Sequence, residues 1–124
     1  MNGTNMQRYL LDTNSIIYAL NNGYKFPKHH YLVSVITEIE LLSYNKLSKE
    51  DEQILRQALS KFENISITNS IKEKTITIRK SSKIKLPDIL IIATAICENA
   101  ILVTSDEQLV NSSFVKTIDL KDLK

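Results

Sequence analysis

The chain has 124 residues, a length that suits one domain and is too short for two of ordinary size. Hydrophobic residues make up 43% of the sequence and charged residues 24%, a balance that can bury a core and argues against disorder. The formal net charge of +2 does not by itself indicate a nucleic-acid partner. The single cysteine, Cys97, cannot form an internal disulfide and indicates a reducing cytosol, and no apolar stretch is long enough to cross a membrane.

The first third of the chain contains two short apolar runs, each followed by apolar side chains at helical spacing. The pattern predicts a strand at residues 9–11 and a helix at 14–20. Residues 21–30 contain Gly, Pro and two His and are predicted to form a loop. A second strand at 32–34 then leads into a helix that continues through Leu42.

Two cap-like patterns mark helices in the middle of the chain. Ser48 with Asp51 resembles a capping box, in which the first side chain accepts a hydrogen bond from a backbone N–H of the first turn. Ser70 with Glu73 predicts the start of another helix in the same way. Between these helices, residues 64–67 are predicted to form a strand.

The last third of the chain begins with an almost entirely apolar helix, which is therefore expected to be buried. Pro87 suits its first turn because the missing N–H costs nothing there, and Asp88 follows near the positive end of the helix dipole. A strand at 101–104, a short helix opened by residues 105–106 and a strand at 115–118 complete the pattern.

This alternation of strands and helices predicts an α/β fold with a central parallel sheet of four to five strands and helices on both faces. The whole chain, residues 1–124, is predicted to be one domain, with residues 1–6 as a leader segment. Ligands of such sheets bind beyond the carboxyl ends of the strands.

Four acidic residues are predicted to gather at that edge of the sheet. Asp12 and Asp106 follow strand ends, Glu40 lies on the helix after the second strand, and Asp88 begins the apolar helix. Carboxylates that lie close together repel one another unless a cation neutralises them, and Mg²⁺ or Mn²⁺ prefers such oxygen ligands. A metal held there could activate water against a phosphodiester. Each acid taken alone also fits a helix cap, a first-turn residue or a solvated helix face.

Three segments resemble the PIN-domain family, and within it the VapC-like toxins of type II toxin–antitoxin pairs. They are YLLDTNSIIYAL, with an Asp-Thr-Asn signature, SVITEIELLSY, with a Glu-Leu pair, and LPDILIIATAICENAILVTSDEQL, with two further acids. Their order and spacing cover residues 8–118, nearly the whole chain. The resemblance implies a three-layer PIN-like fold and an Mg²⁺-dependent endoribonuclease that is often dimeric and often silenced by an antitoxin segment in its active groove.

Carried over residue by residue, the resemblance implies an acidic site of Asp12, Glu40, Asp88 and Asp106, with Asp12 and Asp88 as direct metal ligands. It also implies supporting polar residues that orient the carboxylates by hydrogen bonds: Asn14, Thr104 and, more weakly, Ser105. Glu38 competes with Glu40 for one position. Glu40 is preferred because its Glu-Leu pair matches the motif better, and residues two apart face different sides of a helix.

A basic cluster before Asp88 is a candidate contact for RNA phosphates. Its members are Arg79, Lys80, Lys83 and Lys85. The same residues also fit a solvated helix end, where positive charge is favoured by the helix dipole. His29 and His30 are more typical of exposed loop residues than of a site.

The leading hypothesis is therefore a cytosolic, metal-dependent ribonuclease that acts as the toxin of a toxin–antitoxin pair. The resemblance also implies a homodimer. Two alternatives stay open. A catalytically inert PIN-like module would bind RNA or protein without cleaving. A phospho-acceptor domain also places acids at strand ends, but it needs a lysine late in the chain at a strand end, and Lys116 lies at the wrong end of its strand.

Overall fold

The computed structural model describes residues 6–124, so all but one residue of the predicted leader lies outside the described part of the chain. The strands alternate with helices along the sequence as predicted. In order, the elements are β1 (Arg8–Leu11), α1 (Thr13–Asn21), β2 (His30–Ser34), α2 (Val35–Leu42), α3 (Lys49–Leu59), β3 (Glu63–Ile65), α4 (Asn69–Ser81), α5 (Leu86–Cys97), β4 (Ile101–Val103), α6 (Glu107–Asn111) and β5 (Thr117–Ile118), followed by a 3₁₀ turn at Leu120–Asp122.

The five strands form one parallel sheet in the order β3-β2-β1-β4-β5. The chain builds outward from β1 through β2 to β3, then returns to the other side of β1 for β4 and β5. The order therefore reverses between β1 and β4, and this switch point is where ligands of open α/β sheets bind. The predicted parallel α/β fold is confirmed.

Alternation of side chains along the strands divides the core into two layers, one on each face of the sheet. On one face Leu10, Leu32 and Leu102 are fully buried against residues of α4 and α5. On the other face Leu11, Val33 and Val103 are fully buried against residues of α1 and α3. The result is a three-layer arrangement in which both faces of the sheet are covered, as parallel sheets require.

Helix α4 begins earlier than predicted. Thr68, not Ser70, is its N-cap, and the Thr68 hydroxyl accepts a hydrogen bond from the Ile71 backbone N–H at 3.2 Å. The cap must precede the first helical residue in an extended conformation, and Thr68 has φ −75° and ψ 170°, whereas Ser70 already lies in the helix. The preceding strand β3 correspondingly spans Glu63–Ile65, ending before the predicted residue 67.

The predicted cap of α3 is correct, since the Ser48 hydroxyl accepts from the Asp51 backbone N–H at 3.0 Å. Strand β5 is shorter than predicted and covers only the last two residues of the segment 115–118. Among residues 6–124, no helix combines the length and apolar character that spanning a membrane would need.

Candidate active site

Asp12 lies at the switch point of the sheet, directly after β1. It is the N-cap of α1, and its Oδ1 accepts a hydrogen bond from the Ser15 backbone N–H at 2.7 Å. Its own backbone N–H donates to the carbonyl of Val103 at 3.2 Å, and the Ser15 hydroxyl donates to the same carbonyl at 3.1 Å. These hydrogen bonds connect the start of α1 to the end of β4 and fix the position of Asp12, which is only 7% exposed.

The segment after β4 forms the opposite side of this edge. The Asp106 backbone N–H donates to the Thr104 hydroxyl at 3.1 Å, and Asp106 Oδ1 accepts from the Gln108 backbone N–H at 2.9 Å. Thr104 is buried, and its backbone N–H donates to the carbonyl of Ile118 on β5 at 2.9 Å. Thr104 therefore orients the backbone that carries Asp106, while Ser105 between them is exposed.

Glu40 on α2 is connected to α1 through a threonine. The Thr13 hydroxyl donates to Glu40 Oε1 at 2.8 Å and also lies 3.4 Å from the Thr37 hydroxyl. Within residues 6–124 the structure gives Glu38 no comparable hydrogen bond. Thr13 was not singled out in the sequence, although it is the middle residue of the Asp-Thr-Asn signature and could have been found there.

Asp88 in the first turn of α5 is influenced by the charges of the other three acids. Burial raises the pKa of the Asp88 carboxyl above its ordinary value. The charges of Asp106, Glu40 and Asp12, in decreasing order, raise it further, and the nearby Lys85 lowers it. Glu38 does not contribute to this shift. The carboxylates predicted from the sequence thus lie close enough to disfavour the charged form of Asp88.

The four carboxylates do not form a ready-made chelate. In the described part of the chain, no three Asp, Glu, His or Cys side chains lie close enough together to enclose a metal ion. Mg²⁺ seldom uses such an all-protein cage, because it retains several waters and binds one or two carboxylates. The all-oxygen donor set, with one member whose charge is disfavoured by its neighbours, fits a hard divalent cation.

The basic cluster divides into one residue near the acids and three farther away along the chain. Lys85 is the N-cap residue of α5 and influences the Asp88 carboxyl. The other three are exposed at and after the end of α4: Arg79, Lys80 and Lys83. The histidines lie at the opposite, amino-terminal edge of the sheet, where His30 pairs with Glu63 at 2.6 Å.

Two cavities flank α1 on different sides. The larger, of about 600 Å³, is named here the apolar groove and lies between α1, α2 and α3. Its lining residues are Thr13, Ile17, Leu20, Asn21, Glu40, Leu41, Tyr44, Leu47, Asp51, Ile54 and Leu55. Ile17, Leu20 and Ile54 are 41%, 42% and 59% exposed, so the groove offers apolar surface that reaches Glu40. The groove was not predicted from the sequence. The exposed apolar residues on α1 and α3 were the signal that could have indicated it.

The smaller cavity, of about 310 Å³, is named the polar pocket. It is lined by Asn14, Ser15, Tyr18, Ser105, Asp119, Leu120 and Lys121. Two of the predicted supporting residues, Asn14 and Ser105, therefore line this pocket beside the acids. The pocket was not predicted, because its wall combines α1 with the segment after β5, which are distant in sequence.

Comparison with known proteins identifies the family. The PIN domain family matches residues 9–114, most of the chain. The chain belongs to the PIN domain family. The PIN-like fold inferred from the sequence resemblance is thereby confirmed, and PIN-domain nucleases generally use divalent metal ions.

Solved structures agree with this assignment. A toxin–antitoxin complex from Klebsiella pneumoniae contains a chain that is 30% identical, with a TM-score of 0.72 over 86% of this chain and 94% of that one. VapBC2 from Rickettsia felis, bound to a DNA fragment from its promoter, is 26% identical, with a TM-score of 0.75 over 91% and 98%.

A DNA-bound VapBC from Salmonella typhimurium is 21% identical and has a TM-score of 0.76 over 93% of this chain and 99% of that one, which supports the fold alone. No curated protein sequence matches the chain.

Proposed function

We propose that this PIN domain is a divalent-metal-dependent endoribonuclease and the toxin of a toxin–antitoxin pair. The observation that carries the proposal is the gathering of four carboxylates at the switch point, where the charges of Asp106, Glu40 and Asp12 raise the pKa of Asp88. A cluster of like charges is costly to maintain, and a divalent cation bound against a phosphodiester would remove that cost.

In this proposal Asp12 and Asp88 hold Mg²⁺ or Mn²⁺, and Glu40 and Asp106 complete the set directly or through water. The bound cation would neutralise charge on the phosphate and make water more acidic. Asp12 is held in place by the Ser15 N–H, and Thr104 supports the segment that carries Asp106. Glu40 Oε1 already accepts a hydrogen bond from the Thr13 hydroxyl. We therefore assign the other carboxylate oxygen, Glu40 Oε2, to take the proton from the attacking water.

Lys85 beside the acids is assigned to the RNA backbone, with Lys83, Lys80 and Arg79 extending the contact to the end of α4. These residues are exposed, and the contact would be independent of base sequence and sensitive to salt. A homodimer remains part of the proposal, and sedimentation of the purified chain tests it.

The pair Glu40 and Glu38 provides the direct test. Glu40→Gln is expected to reduce Mg²⁺-dependent cleavage of single-stranded RNA by about 10- to 100-fold, the usual cost of removing a group that supports a metal site. Glu38→Gln, on the same helix, is expected to cleave like the wild type. Initial rates on a fluorescent RNA with MgCl₂ or MnCl₂ measure both variants. Equal loss in the two variants, or in neither, would contradict the assignment of Glu40.

An inert PIN-like module is the second candidate, because some PIN domains are inactive. Calorimetric titration with Mn²⁺ and with RNA, together with a cleavage assay, distinguishes the nuclease from the inert module. Binding of Mn²⁺ together with cleavage supports the nuclease, whereas RNA binding without cleavage in the presence of millimolar Mn²⁺ supports the inert module.

The apolar groove is assigned to the antitoxin. An apolar segment carrying a basic residue would cover Ile17, Leu20 and Ile54 and neutralise Glu40 at the end of the groove. The neighbours include toxin–antitoxin complexes, which favours a partner of this kind.

Ile54→Asp is expected to weaken binding of the antitoxin by about 30-fold or more, because it places a charge in a central apolar contact. The probe is the product of a small open reading frame adjacent to the gene of this chain, and binding is measured by calorimetry. Ile76→Asp is the control, since Ile76 is similarly exposed at 43% but lies on α4, outside the groove. Equal affinity of the wild type and Ile54→Asp would remove the groove as the binding surface.

A further inference from the structure

The polar pocket lies beside the proposed active site but contains none of its acids. Asn14 follows Asp12 by two residues, and Ser105 directly precedes Asp106. Asn14 and Tyr18 are four residues apart on α1 and therefore share one face of the helix, about one turn from each other. Thr13 and Ile17, each one residue earlier on α1, lie on a different face of the helix and line the apolar groove. Helix α1 thus separates the polar pocket from the groove assigned to the antitoxin.

Several groups in the polar pocket are available to a ligand. Tyr18 is 47% exposed, so a substantial part of this residue is accessible to a ligand. Within residues 6–124, the structure gives the Asn14 amide and the Ser105 hydroxyl no hydrogen-bond partner, whereas the Ser15 hydroxyl is already bonded to the Val103 carbonyl. An aromatic ring beside an unpaired amide and an unpaired hydroxyl is the combination that stacks and reads an unpaired RNA base.

The charges of the polar pocket favour a base over a phosphate. Lys121 is accompanied by Asp119, whose Oδ1 accepts from the Lys121 backbone N–H at 3.0 Å. The two formal charges cancel, and the carboxylate would repel a phosphate placed between them. The edge of a base carries both donors and acceptors and is complementary to this mixture. The volume of about 310 Å³ is within the range of small-ligand pockets.

We propose that the polar pocket binds one base of the RNA substrate next to the scissile phosphate, and so gives the nuclease a base preference. The base stacks on Tyr18, and Asn14 and Ser105 hydrogen-bond to its edge. This inference rests on the proposed ribonuclease function, and it adds a specificity site that the four acids do not supply.

Binding is tested without cleavage by titrating the metal-free wild type with adenosine, guanosine, cytidine and uridine 5′-monophosphates and following backbone amides by NMR. One nucleotide is expected to bind most tightly and to shift the amides of Asn14, Tyr18 and Ser105. Tyr18→Ala should weaken this binding by about five- to hundredfold, and Tyr18→Phe should largely retain it. Shifts elsewhere only, or equal shifts with ribose 5-phosphate, would overturn the proposal.

Cleavage provides the second test. Fragments of a randomised RNA cut by the wild type in MgCl₂ are sequenced, and a preference for one base is expected at one position beside the cut. Tyr18→Ala should flatten that preference. Phe114→Ala is the matched control, because Phe114 is an exposed aromatic residue outside both cavities and should leave the preference unchanged. A preference that survives Tyr18→Ala would contradict the inference.

The two tests separate the inference from the function on which it rests. If the wild type binds a nucleotide at Tyr18 but cleaves no RNA, the ribonuclease proposal fails while the base site stands. If it cleaves RNA with a preference that does not depend on Tyr18, the ribonuclease stands and the base site fails.

Discussion

Asp12→Asn is expected to reduce RNA cleavage by at least about 100-fold while leaving the fold intact. The amide oxygen of asparagine can still accept the Ser15 N–H, and asparagine is as good an N-cap as aspartate. The substitution therefore keeps the start of α1 and removes only the negative charge from a side chain that is 7% exposed. Loss of activity in this variant would reflect loss of a metal ligand and not loss of structure.

Two measurements accompany the rate. Circular dichroism is expected to give a thermal midpoint at or above that of the wild type, and calorimetry should show weaker binding of Mn²⁺. Asp122→Asn is the control, because Asp122 is an exposed aspartate in the 3₁₀ turn outside the acidic site and both cavities. Wild-type cleavage by Asp12→Asn would remove Asp12 from the site and with it the central element of the proposed mechanism.

The fold could be predicted because the three central strands, β2, β1 and β4, contain short apolar runs. Leu10 and Leu11 face opposite layers, and both are fully buried, so the segment is apolar without interruption, as in buried parallel strands. The start of α4 could not be predicted in this way. Thr68, Ser70 and their neighbours offer several side chains that can cap a helix, and where β3 ends decides which of them is used.

The acids could be located in the sequence because each follows a strand or begins a helix at the same edge of the sheet. The interactions of these acids with other residues could not be predicted from the sequence. The bond between Thr13 and Glu40 joins residues 27 positions apart and depends on how α1 packs against α2. The polar pocket likewise requires α1 to approach the segment after β5. Such contacts arise from the packing of whole elements, which local spacing does not encode.

Asp88→Asn is expected to abolish cleavage and, in the absence of metal, to stabilise the protein at neutral pH. The pKa of Asp88 is raised above 3.8 by burial first and then by Asp106, Glu40 and Asp12. A group whose pKa is raised in the folded state stabilises the protein fully below its ordinary pKa, and that contribution is lost as the pH rises through the folded pKa. At pH 7 the ionised carboxylate therefore destabilises the metal-free wild type, and a neutral amide removes this cost.

The thermal midpoint of Asp88→Asn in EDTA at pH 7 should exceed that of the wild type by about 2–4 °C, and the difference should shrink as the pH falls towards 3.8. MnCl₂ should stabilise the wild type more than the variant, because a cation relieves the same repulsion. The helix dipole opposes this result, since it favours a negative charge in the first turn of α5. A variant that is less stable than the wild type at pH 7, with a gap that closes as the pH falls and the Asp88 carboxyl is protonated, would show that the dipole outweighs the repulsion among the acids. The electrostatic argument for a cation at this site would then fail.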